Sequence, residues 1–154
     1  MEVFFSELVG TALSWEVCLV RILLSFLAGC IMGLERKFRM RFVGIRTLVL
    51  ICVSSCVIML LSIYLSQVLF AGSGDPARLA AQVISGIGFL GGGAILREGF
   101  NVKGLTSAAI IWTAAALGLA IGAGFLFPAF LALVFSLVAL VLIEFVEERF
   151  FPAE

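Results

Sequence analysis

The sequence predicts an all-α integral membrane protein, a compact bundle of about five transmembrane helices. Three observations lead there. Mean hydropathy is +1.26 with only 13% charged residues, about half the share usual in soluble domains. Apolar runs of spanning length recur along the chain, each near the ~20 residues a helix needs to cross a bilayer. Basic residues gather between alternate runs rather than scattering evenly.

The five expected spans cover residues 17–33, 45–70, 79–96, 107–124 and 128–146. They form a single transmembrane domain over 1–154, with no soluble domain left over. The N-terminal stretch is acidic and lacks Lys and Arg. No cleavable signal peptide is therefore expected, since one would want a basic leading region.

Orientation follows from the basic residues near the span ends. Arg36, Lys37, Arg39, Arg41 and Arg46 lie between the first and second spans, Arg97 and Lys103 between the third and fourth, and Arg149 after the fifth. Arg21 and Arg78 lie toward the other side. An outer N-terminus and a cytoplasmic C-terminus are expected.

The spans differ in texture. The first holds Gly29 and Gly33 at four-residue spacing, and the fourth holds Ala114, Gly118 and Gly122 in the same register. The third carries Gly86, Gly88, Gly91, Gly92 and Gly93. Glycine costs a helix in water about 1 kcal/mol relative to Ala. In membranes small residues instead let helix backbones approach closely. These glycines are read as packing positions, and the glycine-rich third helix is expected at the centre of the bundle. The fifth span is rich in Leu, Val and Phe and reads as lipid-facing or as a dimer face.

The polar residues inside or beside spans are the candidate site. Asp75-Pro76 is a helix-start signal, Asp as N-cap and Pro at the first position. Arg78 follows in the first turn, where a cation opposes the helix dipole. Asp75 either caps alone or joins Arg78 and Arg21 in a functional cluster. Gln82 lies one turn beyond Arg78 on the same face. Arg21 either snorkels outward or faces the bundle interior, where charges mark function. On the cytoplasmic side, Lys37, Arg39 and Arg41 suit anionic lipid headgroups. Glu35 suggests an interhelical ion pair with Arg46, as a packing clamp or as part of a site. Thr106 or Ser107 is expected to cap the fourth span, and Trp112 reads as an interfacial anchor.

Several chemistries are not expected. Histidine is absent, which removes the commonest general base and metal ligand. Cys18, Cys30, Cys52 and Cys56 all fall in apolar spans without a CxxC and read as packing residues, with a redox or metal role as the alternative. GIGFLG at 86–91 matches the letters of a dinucleotide fingerprint, but no strand or polar turn precedes it. No enzyme activity, cofactor, metal site or nucleic-acid partner is expected.

Three blocks carry a family resemblance: GLERKFRMRFVGIRTL, DPARLAAQVISGIGFLGGGAIL and VKGLTSAAIIWTAAALGLAIGAG. Together, from Arg21 to about Gly124, the chain resembles the MgtC/SapB family of bacterial inner-membrane proteins. The resemblance implies a multi-pass inner-membrane protein tied to growth in low magnesium. It implies action in magnesium homeostasis or stress adaptation through regulation of other membrane proteins, as a homo-oligomer, most simply a dimer. The family's polar positions fall here on Arg21, Glu35, Arg36, Arg46, Thr47, Asp75, Arg78, Gln82, Thr106 and Trp112. Leu48 stands where members often have His, and Gly92 and Ser107 replace Ala and Thr. The chain reads as a short form without the cytoplasmic C-terminal domain of longer members. The alternative is a small transporter or channel, its path running along a third helix broken at Gly91–Gly93.

Overall fold

The computed structural model describes residues 13–39, 43–70, 73–143, 146 and 149–150. Arg41, the acidic N-terminal run and residues 144 and 145 of the fifth expected span lie outside them. Among the described residues, five helices account for most of the chain. Helix α1 is Trp15–Phe38, and α2 is Ile45–Tyr64 prolonged by a π-helical turn, Leu65–Leu69. Helix α3 is Arg78–Gly93, α4 is Leu105–Gly122, and α5 is Leu126–Val138 prolonged by a π-helical turn, Ala139–Ile143. Four of them, all but α3, are long and apolar enough to cross a membrane.

Local signals explain the boundaries. Ser14 caps α1, its Oγ accepting from the Val17 N–H at 3.4 Å. Arg36 and Lys37 occupy the last turn of α1, where cations complement the helix dipole. Helix α4 ends because Gly124 adopts φ +82°. The Phe125 and Gly124 amides then donate back to the Ala120 and Ile121 carbonyls, the double bond of a glycine-closed helix end. Pro128 falls in the first turn of α5, where its missing N–H costs no helical bond.

The core is built on α2. A Cβ at Gly29 would sit 2.7 Å from the Val49 Cα, and one at Gly33 would sit 2.5 Å from the Ile45 Cα. Rising numbers on α1 meet falling numbers on α2, so the pair is antiparallel. On the other side, a Cβ at Gly118 would collide with the Cys52 carbonyl oxygen, and one at Gly122 would lie 2.6 Å from that of Cys56. Here the numbers rise together, so α2 and α4 are parallel. Met32, Leu48, Cys52, Cys56, Ala114 and Ala115 fill the seam and are fully buried. All four cysteines are free thiols.

Helix α3 takes an edge position, which corrects the expected central one. It packs antiparallel on α4, with Gly91 against Ala108, and buries only Ile87 and Gly91. Around Gly86, Gly88, Gly92 and Gly93 the space a Cβ would fill is open. The helix is continuous from Arg78 to Gly93 and ends there without an internal break. The central small-residue seam is supplied by α1 and α4 instead, because their glycines recur every four residues on the side turned to α2.

A feature absent from the sequence reading follows α3. Leu96–Glu98 (β1) and Asn101–Lys103 (β2) pair antiparallel around the two-residue turn Gly99-Phe100. Gly99 has φ +63°, as a tight hairpin turn of the Gly-X type requires. Gly104, at φ +89°, then turns the chain into α4, so the helix starts at Leu105 rather than at a Thr106 or Ser107 cap.

Replacing Gly33 by Leu is expected to cost about 1–3 kcal/mol through overpacking against the α2 backbone. Thermal melting in detergent reads this, with Gly86→Ala, whose Cβ meets nothing, as the variant that melts no lower than the parent.

Candidate functional site

The antiparallel arrangement gathers the polar candidates at two ends. The carboxyl end of α1, the amino ends of α2 and α4 and the carboxyl end of α3 share one end, which carries Arg36, Lys37, Arg39, Arg46, Arg97 and Lys103. We call it the basic end. Arg21, Asp75 and Arg78 belong to the opposite half.

Arg21 is fully buried between α1 and α4. Its Nη1 donates to the Gly122 carbonyl at 2.8 Å. That carbonyl is among the last four of α4, which have no partner inside the helix. The guanidinium therefore satisfies an orphan acceptor and places positive charge at the negative end of a helix dipole. One turn further along α1, Ser25 donates to the Cys52 Sγ at 3.3 Å. Arg21 thus faces the bundle interior and does not snorkel.

Asp75 and Arg78 lie elsewhere, on the rim of a cleft of about 260 Å³ between α2 and the start of α3. Ser62, Ser66, Phe70, Ser73 and Leu79 complete most of the lining, and Arg21 is not part of it. The Asp75 carboxylate accepts from the Ala77 N–H at 2.8 Å, closing a turn just before α3. The helix itself starts later, at Arg78, with Ala77 in the N-cap position and no side-chain cap, so the expected Asp75 cap with Pro76 at the first helical position is not formed. Ser62 donates to the Pro76 carbonyl at 2.7 Å and Ser66 to the Gly74 carbonyl at 2.5 Å. These two serines fasten the α2–α3 connection to α2. The sequence reading passed over them, although their four-residue spacing on an apolar helix is a signal. Gln82 lies on the exposed side of α3.

At the basic end, Glu35 is the hub. It pairs with its neighbour Arg36 and with Arg39 at 3.1 Å, one turn away. The interhelical Glu35–Arg46 pair expected from sequence is not formed, because Glu35 pairs instead with Arg36 of α1 and with Arg39, the C-cap that follows it. Arg36 is buried, while Arg46 and Thr47 are exposed at the start of α2. Thr106 is exposed too and helps line a groove of about 180 Å³ with Met32, Thr113 and Ser136. Trp112 is 48% exposed on the outer face of α4. Among the described residues no three His, Cys, Asp or Glu side chains gather in a metal-binding group.

The profile of the MgtC family matches residues 22–149. The chain belongs to the MgtC family. It is 41% identical over 147 residues to Protein SapB of Bacillus subtilis, an alignment covering 91% of this chain and 63% of that one. It is 46% identical over 111 residues to Protein MgtC of Brucella abortus, covering 72% and 44%. With Protein MgtC of Salmonella typhimurium the identity is 38% over 131 residues, covering 85% and 54%. The chain therefore spans about half the length of these relatives. No solved structure matches.

In this MgtC-family chain the ten polar candidates do not converge on one point. Arg21 ties α1 to α4, Asp75 and Arg78 rim the cleft, Glu35 and Arg36 lock the end of α1, and Arg46, Thr47, Gln82, Thr106 and Trp112 face outward. The arrangement is one of helix-end clamps beneath an outward-facing polar surface.

Arg21→Met is expected to lose about 1.5–3 kcal/mol, the range for a hydrogen bond to a charged group, with Arg21→Lys losing less. Unfolding in detergent measures both. Glu35→Gln leaves Arg36 buried beside a neutral amide, so it is expected to lower the melting temperature clearly more than Arg46→Gln, which alters an exposed side chain.

Proposed function

We propose that this protein is a non-catalytic, multi-pass protein of the bacterial inner membrane that acts by binding other membrane proteins. Its N-terminus lies outside and its basic end faces the cytoplasm, as the excess of Lys and Arg at that end favours. In line with the family resemblance, the binding regulates its partners within magnesium homeostasis or stress adaptation. The protein works as a homo-oligomer, most simply a dimer.

The outward face of α3 is the observation that carries this reading. Arg78, Gln82 and Ser85 are exposed on it, followed by Gly88 and Gly92 with open space where side chains would be. Lipid tails offer no hydrogen bond to a glutamine amide, so a polar side chain at that depth is best accommodated against another helix. Glycines without neighbours let that helix approach to backbone distance. The core leans the same way. The seam between α1, α2 and α4 is closed by Arg21, Met32, Cys52 and Cys56, all fully buried.

Affinity capture from native membranes tests the proposal. The parent protein is expected to bring down a stoichiometric membrane protein, and Gly92→Leu to lose it while melting like the parent, since its added side chain points into open space. Absence of a partner, together with ion flux in proteoliposomes that Asp75→Asn abolishes, would establish the transporter reading instead.

A further inference from the structure

The β1–β2 hairpin is the least covered element of the described chain. Leu96, Arg97, Asn101, Val102 and Lys103 are all exposed, and Phe100 at the tip is fully so, at 102%. The pairing sets Leu96 beside Lys103 and Arg97 beside Val102. Each side of the ribbon therefore combines one aliphatic residue with one cation. Arg97 is turned toward the tip, its Nε donating to the Gly99 carbonyl at 3.1 Å. Against the two cations the hairpin carries one acid, Glu98.

Depth decides what such a ribbon meets. Helix α3 has 16 residues, so it rises about 24 Å at ~1.5 Å per residue. That is short of the ~30 Å hydrocarbon layer. If α3 begins at the opposite interface, the hairpin that follows starts no further out than the interface at the basic end. Its three-residue strands are only about 10 Å long, short enough to lie along that interface. Arg36, Lys37, Arg39 and Arg46 lie at the same end of the bundle, as does Phe38, itself 84% exposed. An outward Phe amid aliphatic residues is poorly placed in water. At an interface it can enter the acyl boundary while flanking cations reach the phosphates.

We propose that the hairpin is an interfacial anchor for anionic phospholipid. Phe100 enters the acyl boundary of the leaflet at the basic end, and Arg97 and Lys103 bind headgroup phosphates. The anchor is separate from the partner-binding face of α3 and stands whether or not that face has a partner. Its chemistry is that of phospholipid, because apolar insertion and phosphate contact come from the same molecule, and the excess of cations at this end favours anionic over zwitterionic headgroups.

The test uses Phe100→Trp in the full chain, reconstituted in nanodiscs with acyl chains brominated near the headgroup. The parent, which carries Trp15 and Trp112, supplies the background emission. The added Trp is expected to emit at shorter wavelength than in water and to be quenched by bromine, more with phosphatidylglycerol present than in phosphatidylcholine alone. Adding Arg97→Gln and Lys103→Gln is expected to remove that lipid preference while leaving the Trp emission blue-shifted in both lipids. Water-like, unquenched emission in both lipids overturns the proposal. So does quenching that is equal in the two lipids.

Discussion

Backbone-to-backbone contact along α2 is the constraint on which the rest depends. Gly29 and Gly33 bring α1 against one side of it, and Gly118 and Gly122 bring α4 against another. No Cβ fits at these glycines, so the helix backbones meet directly there. In a bilayer, where lipid tails are as apolar as leucine, such close approach is a main source of helix association. Helices α3 and α5 are then added around this trio. Most of α5 faces outward and Ala129 is its one buried described residue, as suits a lipid-facing helix.

Close packing also sets where charge can be placed. With α4 ending beside α1, the Gly122 carbonyl would be left without a partner in an apolar setting. Arg21 answers it from within α1. At the basic end Glu35 holds Arg36 and Arg39 at the end of its own helix, which leaves Arg46 and Thr47 outward. The buried charges thus join or stiffen helix ends, and the exposed ones present a surface. This division is one in which the buried polar residues hold a shape and the outward faces are left to other contacts.

Much of this was legible in the sequence. The hydropathy, the number of helices and the alternation of basic residues follow from residue type and spacing alone. The Asp75 turn is local chemistry within two residues, but α3 starts beyond it, at Arg78, so the expected helix cap was misplaced. The site was less legible. Arg21 and Gly122 are 101 residues apart, and no periodicity connects them. The serine clamps at Ser62 and Ser66 depend on where the α2–α3 connection folds back. The hairpin was hidden because Leu96 read as the end of an apolar span and the two strands are only three residues long.

The glycines mark the boundary between the two kinds of knowledge. Sequence by itself determined that glycine-bearing helices would offer close-approach faces, since the absence of a side chain is a property of the residue. It also determined that these helices belong to an apolar bundle with one basic end. Tertiary structure alone decided which faces were used inside the protein. The glycines of α1 and α4 are covered by α2, while most of those on α3 are left open. A face is buried only when another helix lies opposite it, and that is a property of the whole bundle.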